Sequence, residues 1–91
     1  MALYLVSYDL DKPGQDYPDL IKRLEEFGAK RILYSEWFLS HTATASQLRD
    51  DLLRFLDNND RILVCELKNS AAWKNLMLGN DSVLAWFKTA T

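Results

Sequence analysis

The sequence predicts a single α+β domain, because runs rich in β-branched and aromatic residues alternate with segments of helical periodicity. The chain has 91 residues, of which 48% are hydrophobic and 26% charged, which suits one globular domain and is too short for a two-domain enzyme. Only three glycines and two prolines are present, whereas three tryptophans, four tyrosines and four phenylalanines provide large core side chains. We therefore expect residues 1–91 to fold as one unit.

The first two predicted elements are a strand and a helix. Residues 2–10 (ALYLVSYDL) form an apolar run that ends in the polar turn of residues 11–14. Asp16 is placed to cap the helix, Pro18 is tolerated in its first turn, and Gly28 is placed to close it. Apolar residues recur at helical spacing between these ends, namely Tyr17, Leu20, Ile21, Leu24 and Phe27. The helix is predicted from about Tyr17 to Phe27.

The middle of the chain repeats this pattern. Residues 30–40 (KRILYSEWFLS) have strand composition, either as one bent strand or as two short strands that break near Ser35 and Glu36. Thr44 and Gln47 are spaced as a capping box and predict the start of a second helix. Its buried stripe is predicted to consist of Leu48, Leu52, Phe55 and Leu56.

A last strand and a tail follow the turn cluster of residues 57–60. The run 61–67 (RILVCEL) predicts the strand. The tail, residues 69–91, is compatible with two short helices, which contain Ala72, Trp73, Leu76 and Met77 in the first and Val83, Leu84, Trp86 and Phe87 in the second. The order of elements fits a ferredoxin-like split β-α-β domain, with a core of about residues 2–67 and a short C-terminal helical tail, better than a helical bundle.

Both faces of the predicted first strand are apolar. One face carries Leu3, Leu5 and Ser7, and the other carries Tyr4, Val6 and Tyr8. Two amphipathic helices can cover one face of a sheet, so either the tail or the sheet of another protomer must cover the second. Because a chain of this length buries only roughly 60–65% of its unfolded surface, we expect a homodimer through the sheet face.

Charge and cysteine content restrict the class of partner. Eleven basic and 13 acidic residues give a net charge of −2, which disfavours nucleic acid as a partner without excluding it. The absence of a long apolar run and of a signal-like segment predicts a cytoplasmic protein with no membrane partner. Cys65 is the single cysteine and His41 the single histidine, so neither a disulfide framework nor a Cys/His zinc site is expected. No cofactor-binding motif is recognised.

Two aspartates at the end of the first strand are the candidate metal ligands. Asp9 and Asp11 are two positions apart, so in extended backbone their carboxylates would face the same side. Magnesium takes one or two protein carboxylates and keeps several waters, and in a hydrolase it orients phosphate and helps to generate hydroxide. The alternative is that both aspartates only begin the turn that follows.

Ser35 and Glu36 interrupt an apolar run and are expected to line the same edge as Asp9. The alternative is a bulge or strand junction with polar groups facing solvent. His41 lies in a polar loop and has no identifiable partner for a nucleophile–base pair, so we expect it to be a loop residue.

Three runs of sequence resemble a known family. YLVSYDL, RILYSEWFL and NDRILVCEL together resemble the small CRISPR-associated proteins of the Cas-two type and their superfamily, which includes virulence-associated protein D, over about residues 2–67. A closer resemblance is to short bacterial proteins often labelled "SinR family". The shared motifs stand at residues 7–10 (SYDL), Pro13, Gly14, Tyr17, Trp37, 59–61 (NDR) and 71–75 (AAWKN).

The resemblance implies a ferredoxin-like dimer. In the Cas-two type it further implies a magnesium-dependent phosphodiesterase in which Asp9 would ligate the metal near the dimer axis and Ser35 would match the serine after the second strand. Other members of the superfamily are structural dimers that do not need the aspartate. The basic run that often follows that aspartate is replaced here by residues 11–16 (DKPGQD).

Two hypotheses follow for function. The first is a magnesium-dependent endonuclease that hydrolyses RNA or DNA, with Asp9 and Ser35 as catalytic residues and with Asp9 and Asp11 as metal ligands. The second is a non-catalytic dimeric protein-interaction module, which the acidic net charge favours.

Overall fold

The computed structural model describes residues 1–12, 17–68 and 71–89. Within these ranges the chain forms a four-stranded sheet with three helices, which confirms the α+β prediction. In chain order the elements are β1 (Ala2–Asp9), α1 (Pro18–Glu26), β2 (Lys30–Leu33), β3 (Glu36–His41), α2 (Ala45–Leu53), β4 (Arg61–Leu67) and α3 (Asn80–Thr89).

The sheet is antiparallel and has the strand order β2-β3-β1-β4. Strands β1 and β3 are central, and Val6 lies opposite Trp37 of β3 and Val64 of β4. Helix α1 connects β1 to β2 past the intervening β3, and α2 connects β3 to β4 past the intervening β1. The two helical connections therefore interleave the strands, so residues far apart in sequence meet at each end of the sheet.

Helices α1 and α2 cover one face of the sheet, which we call the helix side. On β1 this face carries Tyr4, Val6 and Tyr8, as the alternation of the sequence predicts. These residues share a buried cluster with side chains from both helices and from the neighbouring strands, namely Leu20, Leu24, Ala29, Trp37, Leu39, Leu48 and Leu52. The predicted stripe of α1 is confirmed at its buried leucines, Leu20 and Leu24. That of α2 is confirmed at Leu48 and Leu52, whereas Phe55 and Leu56 pack against the same cluster from beyond the end of the helix.

The other face, which we call the tail side, is covered in part by the C-terminal tail. Leu3, Ile32, Phe38 and Val83 form its buried centre. Partly buried side chains pack around that centre, among them Leu5, Leu67, Trp73, Leu76, Leu78, Trp86 and Phe87. The rings of Trp73 and Phe87 stack at 6.4 Å, and Phe87 meets Phe38 edge-on at 5.6 Å. The sequence left open whether the tail or a second protomer covers this face. In the structure the tail covers part of it.

The helix ends confirm most of the predicted signals. Thr44 and Gln47 form the capping box at α2, with hydrogen bonds of 2.9 and 3.2 Å. Gly28 follows α1 with a φ of +77°, a conformation that glycine adopts without steric cost. Tyr17 is the N-cap of α1 and makes no side-chain capping bond. The predicted cap Asp16 and the turn residues 13–14 lie outside the described residues.

The prediction of a first helix in the tail was wrong. No helix forms at residues 71–79, and Asn75 has a φ of +56°. The Met77 amide donates instead to the carbonyl of Ile32 on β2, at 2.9 Å. A short helix is marginal in water, so this bond and the packing of Trp73 and Leu76 against the sheet decide the backbone conformation.

Residues 30–40 form two strands joined by a turn at Tyr34 and Ser35. Of the two predicted possibilities, two short strands are therefore correct and one bent strand is not. The second tail helix is confirmed as α3. None of the helices in the described ranges is long and apolar enough to cross a membrane.

Candidate functional site

Asp9 ends β1 in a cross-strand ion pair. It lies opposite Arg61 in the register with β4, and its Oδ2 accepts a hydrogen bond from the Arg61 guanidinium at 3.1 Å. The side chains are 73% and 83% exposed for Asp9 and Arg61 respectively. Exposed pairs contribute about 0–1 kcal/mol to stability, so this contact orients the two groups more than it stabilises the fold.

Asp11 lies beyond the end of the strand. Because β1 stops at Asp9, the side-to-side alternation that would align the two carboxylates does not extend to Asp11. The Asp11 backbone N–H donates to Oδ1 of Asp60 at 2.7 Å. Asp11 is thus held through its backbone to the loop that precedes β4.

Asp60 organises that loop. Its carboxylate accepts hydrogen bonds from the backbone N–H of Asp11, from the backbone N–H of Asp57 at 2.6 Å and from the Tyr17 hydroxyl at 3.1 Å. Desolvation opposes ionisation of Asp60, but these donors outweigh it and hold its pKa below the usual range. Desolvation, the bond to Asp60 and the nearby acidic charges raise the pKa of Tyr17 to about 12.

A cleft of about 400 Å³ lies beside this network, where α1 begins and α2 has ended. It is lined by Lys12, Tyr17, Pro18, Asp19, Arg54, Phe55, Leu56 and Asp57. Its two cations have acidic neighbours, since Lys12 lies 4.0 Å from Asp57 and Arg54 lies 3.0 Å from Asp51. The cleft is therefore of mixed charge and is not a positive groove for phosphate.

The sequence analysis missed both the cleft and the Asp60 network. It identified residues 57–60 only as a turn, because the partners of Asp60 lie 43 and 49 positions away in the sequence. The signal that was available is the aspartate at each end of the turn, a residue that bonds readily to nearby backbone N–H groups.

Ser35 lies next to the end of β1. Its carbonyl accepts a hydrogen bond from the Tyr8 N–H at 3.1 Å, which places the β2–β3 turn beside Asp9. Glu36 lies opposite Ser7 in the register of β3 with β1 and is half-buried. The structure thus places the backbones of Ser35, Glu36 and Asp9 at one end of the sheet. The catalytic role of Ser35 stays a prediction.

Trp37, a residue of the shared motifs, has a packing role at the same end of the sheet. Its indole N–H donates to the Tyr8 hydroxyl at 3.0 Å in the buried helix-side cluster. The Arg31 guanidinium lies over the Trp37 ring at 4.8 Å. Such a buried bond between two aromatic side chains fixes β3 against β1.

His41 is structural. Its Nδ1 accepts a hydrogen bond from the Ala43 N–H at 2.9 Å, and its ring meets that of Phe27 edge-on at 5.3 Å. The histidine therefore stabilises the connection into α2. Its predicted place in a loop was wrong, because His41 is the last residue of β3 and pairs with Ala2 of β1.

The groups around Asp9 decide whether it could hold magnesium. In the parts of the chain that the structure describes, no group of three or more His, Cys, Asp or Glu side chains is placed to hold a metal ion. The Arg61 guanidinium donates to Oδ2 of Asp9, so an ion bound to this carboxylate would lie beside a positive charge that opposes it. The metal roles of Asp9 and Asp11 stay predictions.

Comparison with known proteins adds no assignment. No family model matches the chain, and no solved structure matches it. The resemblance to the Cas-two type and to the "SinR family" proteins therefore stays a prediction from the motifs.

Proposed function

We propose that this protein is a non-catalytic, homodimeric protein-interaction module built on a ferredoxin-like domain of the Cas-two type. The order β2-β3-β1-β4 supports the fold, because each of two helical connections passes one intervening strand, as in a split β-α-β arrangement.

The observation that carries the proposal is the apolar, partly uncovered margin of the sheet at β4. Leu63 lies opposite Ser7 on the tail side and is 56% exposed. It is not part of the cluster that packs under the tail, whereas Leu67 of the same strand is. A single exposed leucine is common, but this one stands on an edge strand, and an exposed apolar edge strand is a recognised site of pairing with another chain.

The charges of this margin agree with a protein partner better than with a nucleic acid. Asp9 and Glu36 stand at the same end of the sheet as Arg61, and the Asp9 carboxylate balances the guanidinium. A protein binds a phosphate backbone mainly by neutralising the phosphate charges, so it needs several cationic side chains that are not already paired with carboxylates. In this proposal Asp9 is an orienting partner of Arg61 at the margin of the sheet.

The homodimer is tested by sedimentation velocity across micromolar concentrations. We expect a dimer whose population rises with concentration. A profile that shows only monomer throughout this range would contradict the proposal.

A magnesium-dependent endonuclease acting on RNA or DNA is the second candidate. The hydrogen bond from Tyr8 to Ser35 favours it, since it holds the two residues that match the Cas-two pattern, Asp9 and Ser35, at one edge. No reaction step is assigned to a metal, because the Asp9 carboxylate contacts Arg61.

One assay separates the two candidates. Wild type, Asp9→Asn and the matched surface variant Asp50→Asn are each incubated with magnesium and with single-stranded RNA or double-stranded DNA; Asp50, like Asp9, is an exposed aspartate paired with an arginine. We expect none of the three to cleave. Cleavage by wild type and Asp50→Asn that is absent in Asp9→Asn would overturn the interaction module and support the nuclease.

A further inference from the structure

We draw no further inference here: the strongest candidate, the outer edge of β4 with its exposed Leu63, carries nothing beyond the proposed interaction surface, because nothing among residues 1–12, 17–68 and 71–89 shows what covers it.

Discussion

The helix side and the tail side of the sheet start from similar strand residues and are covered by different means. On β1 the helix side presents Tyr4, Val6 and Tyr8, and the tail side presents Leu3, Leu5 and Ser7. Two helices with regular buried stripes cover the first side. An irregular segment and one helix cover the second, and Leu63 stays exposed there. Apolar strand residues therefore predict that a face must be covered, but they do not predict what covers it or how completely.

The largest effect is expected from a cavity on the helix side. Leu52→Ala removes a fully buried side chain that packs in the cluster under α1 and α2. We expect the free energy of unfolding to fall by about 2–5 kcal/mol, because the site loses both its burial and its packing. Chemical denaturation measures the change.

The adjacent leucine provides the control for this prediction. Leu53 lies in the same helix turn and is about half exposed, so Leu53→Ala should change stability by less than about 1 kcal/mol. If Leu52→Ala and Leu53→Ala lowered the free energy of unfolding equally, the difference in burial between the two leucines would not explain their effects.

A smaller and more local effect is expected on the tail side. Val83→Ala truncates the fully buried residue of α3 that packs with Leu3, Ile32 and Phe38. The loss is about 2 kcal/mol, since two buried methyl groups are removed. We expect it to appear as faster hydrogen exchange of α3 amides, with little change in the amides of β1, because the tail can open without the helix side.

Leu84→Ala, at the exposed neighbour of Val83, should leave the exchange of α3 nearly unchanged. If Val83→Ala accelerated exchange equally in β1 and α3, the two sides would unfold as one unit and the comparison would fail.

The smallest effect concerns an ion pair found on the helix side. The Nε and Nη2 atoms of Arg23 donate to the two carboxylate oxygens of Asp51 at 2.9 and 2.8 Å, which ties α1 to α2. The Arg23 hydrogen bonds, assisted by Arg54 and opposed by desolvation, lower the pKa of Asp51 to about 2. Because the folded pKa is below the unfolded one, this stabilisation is present above about pH 4 and is lost as the pH falls through 2.

Asp51→Asn should therefore reduce stability by about 1 kcal/mol at pH 6, after allowance for partial solvent exposure, and by almost nothing below pH 2. Denaturation at a series of pH values measures the difference from wild type. Asp50→Asn removes only an exposed pair with Arg49 and should show no such pH dependence. A constant deficit for Asp51→Asn at all pH values would contradict the ion-pair explanation.

Much of the fold could be predicted because its signals are local. The capping box at Thr44 and Gln47 joins residues three apart, and the glycine after α1 acts at a single backbone position. The alternation on β1 depends only on extended geometry. Each of these features was predicted correctly because no distant residue competes with it.

The errors and omissions arise where distant residues meet. Trp73 and Leu76 have helical spacing, yet the segment stays irregular because Met77 bonds to Ile32 of β2. The Asp60 network joins residues more than 40 positions apart, and no periodic pattern in the sequence indicates it. Asp9 could be placed at the end of a strand, but its contact with Arg61 depends on the register of β4 against β1.

The sequence by itself determined which segments form strands, where the first two helices lie and that both faces of the sheet need covering. Backbone hydrogen bonds within helices, caps and side-chain alternation depend on neighbours within a few positions, so the local residues suffice. Only the tertiary structure decided that the tail covers part of one face, that Arg61 meets Asp9 and that, among the residues the structure describes, no strand pairs with the outer side of β4. These outcomes depend on long-range packing, in which the entropy of closing each loop is weighed against the apolar area that the contact buries.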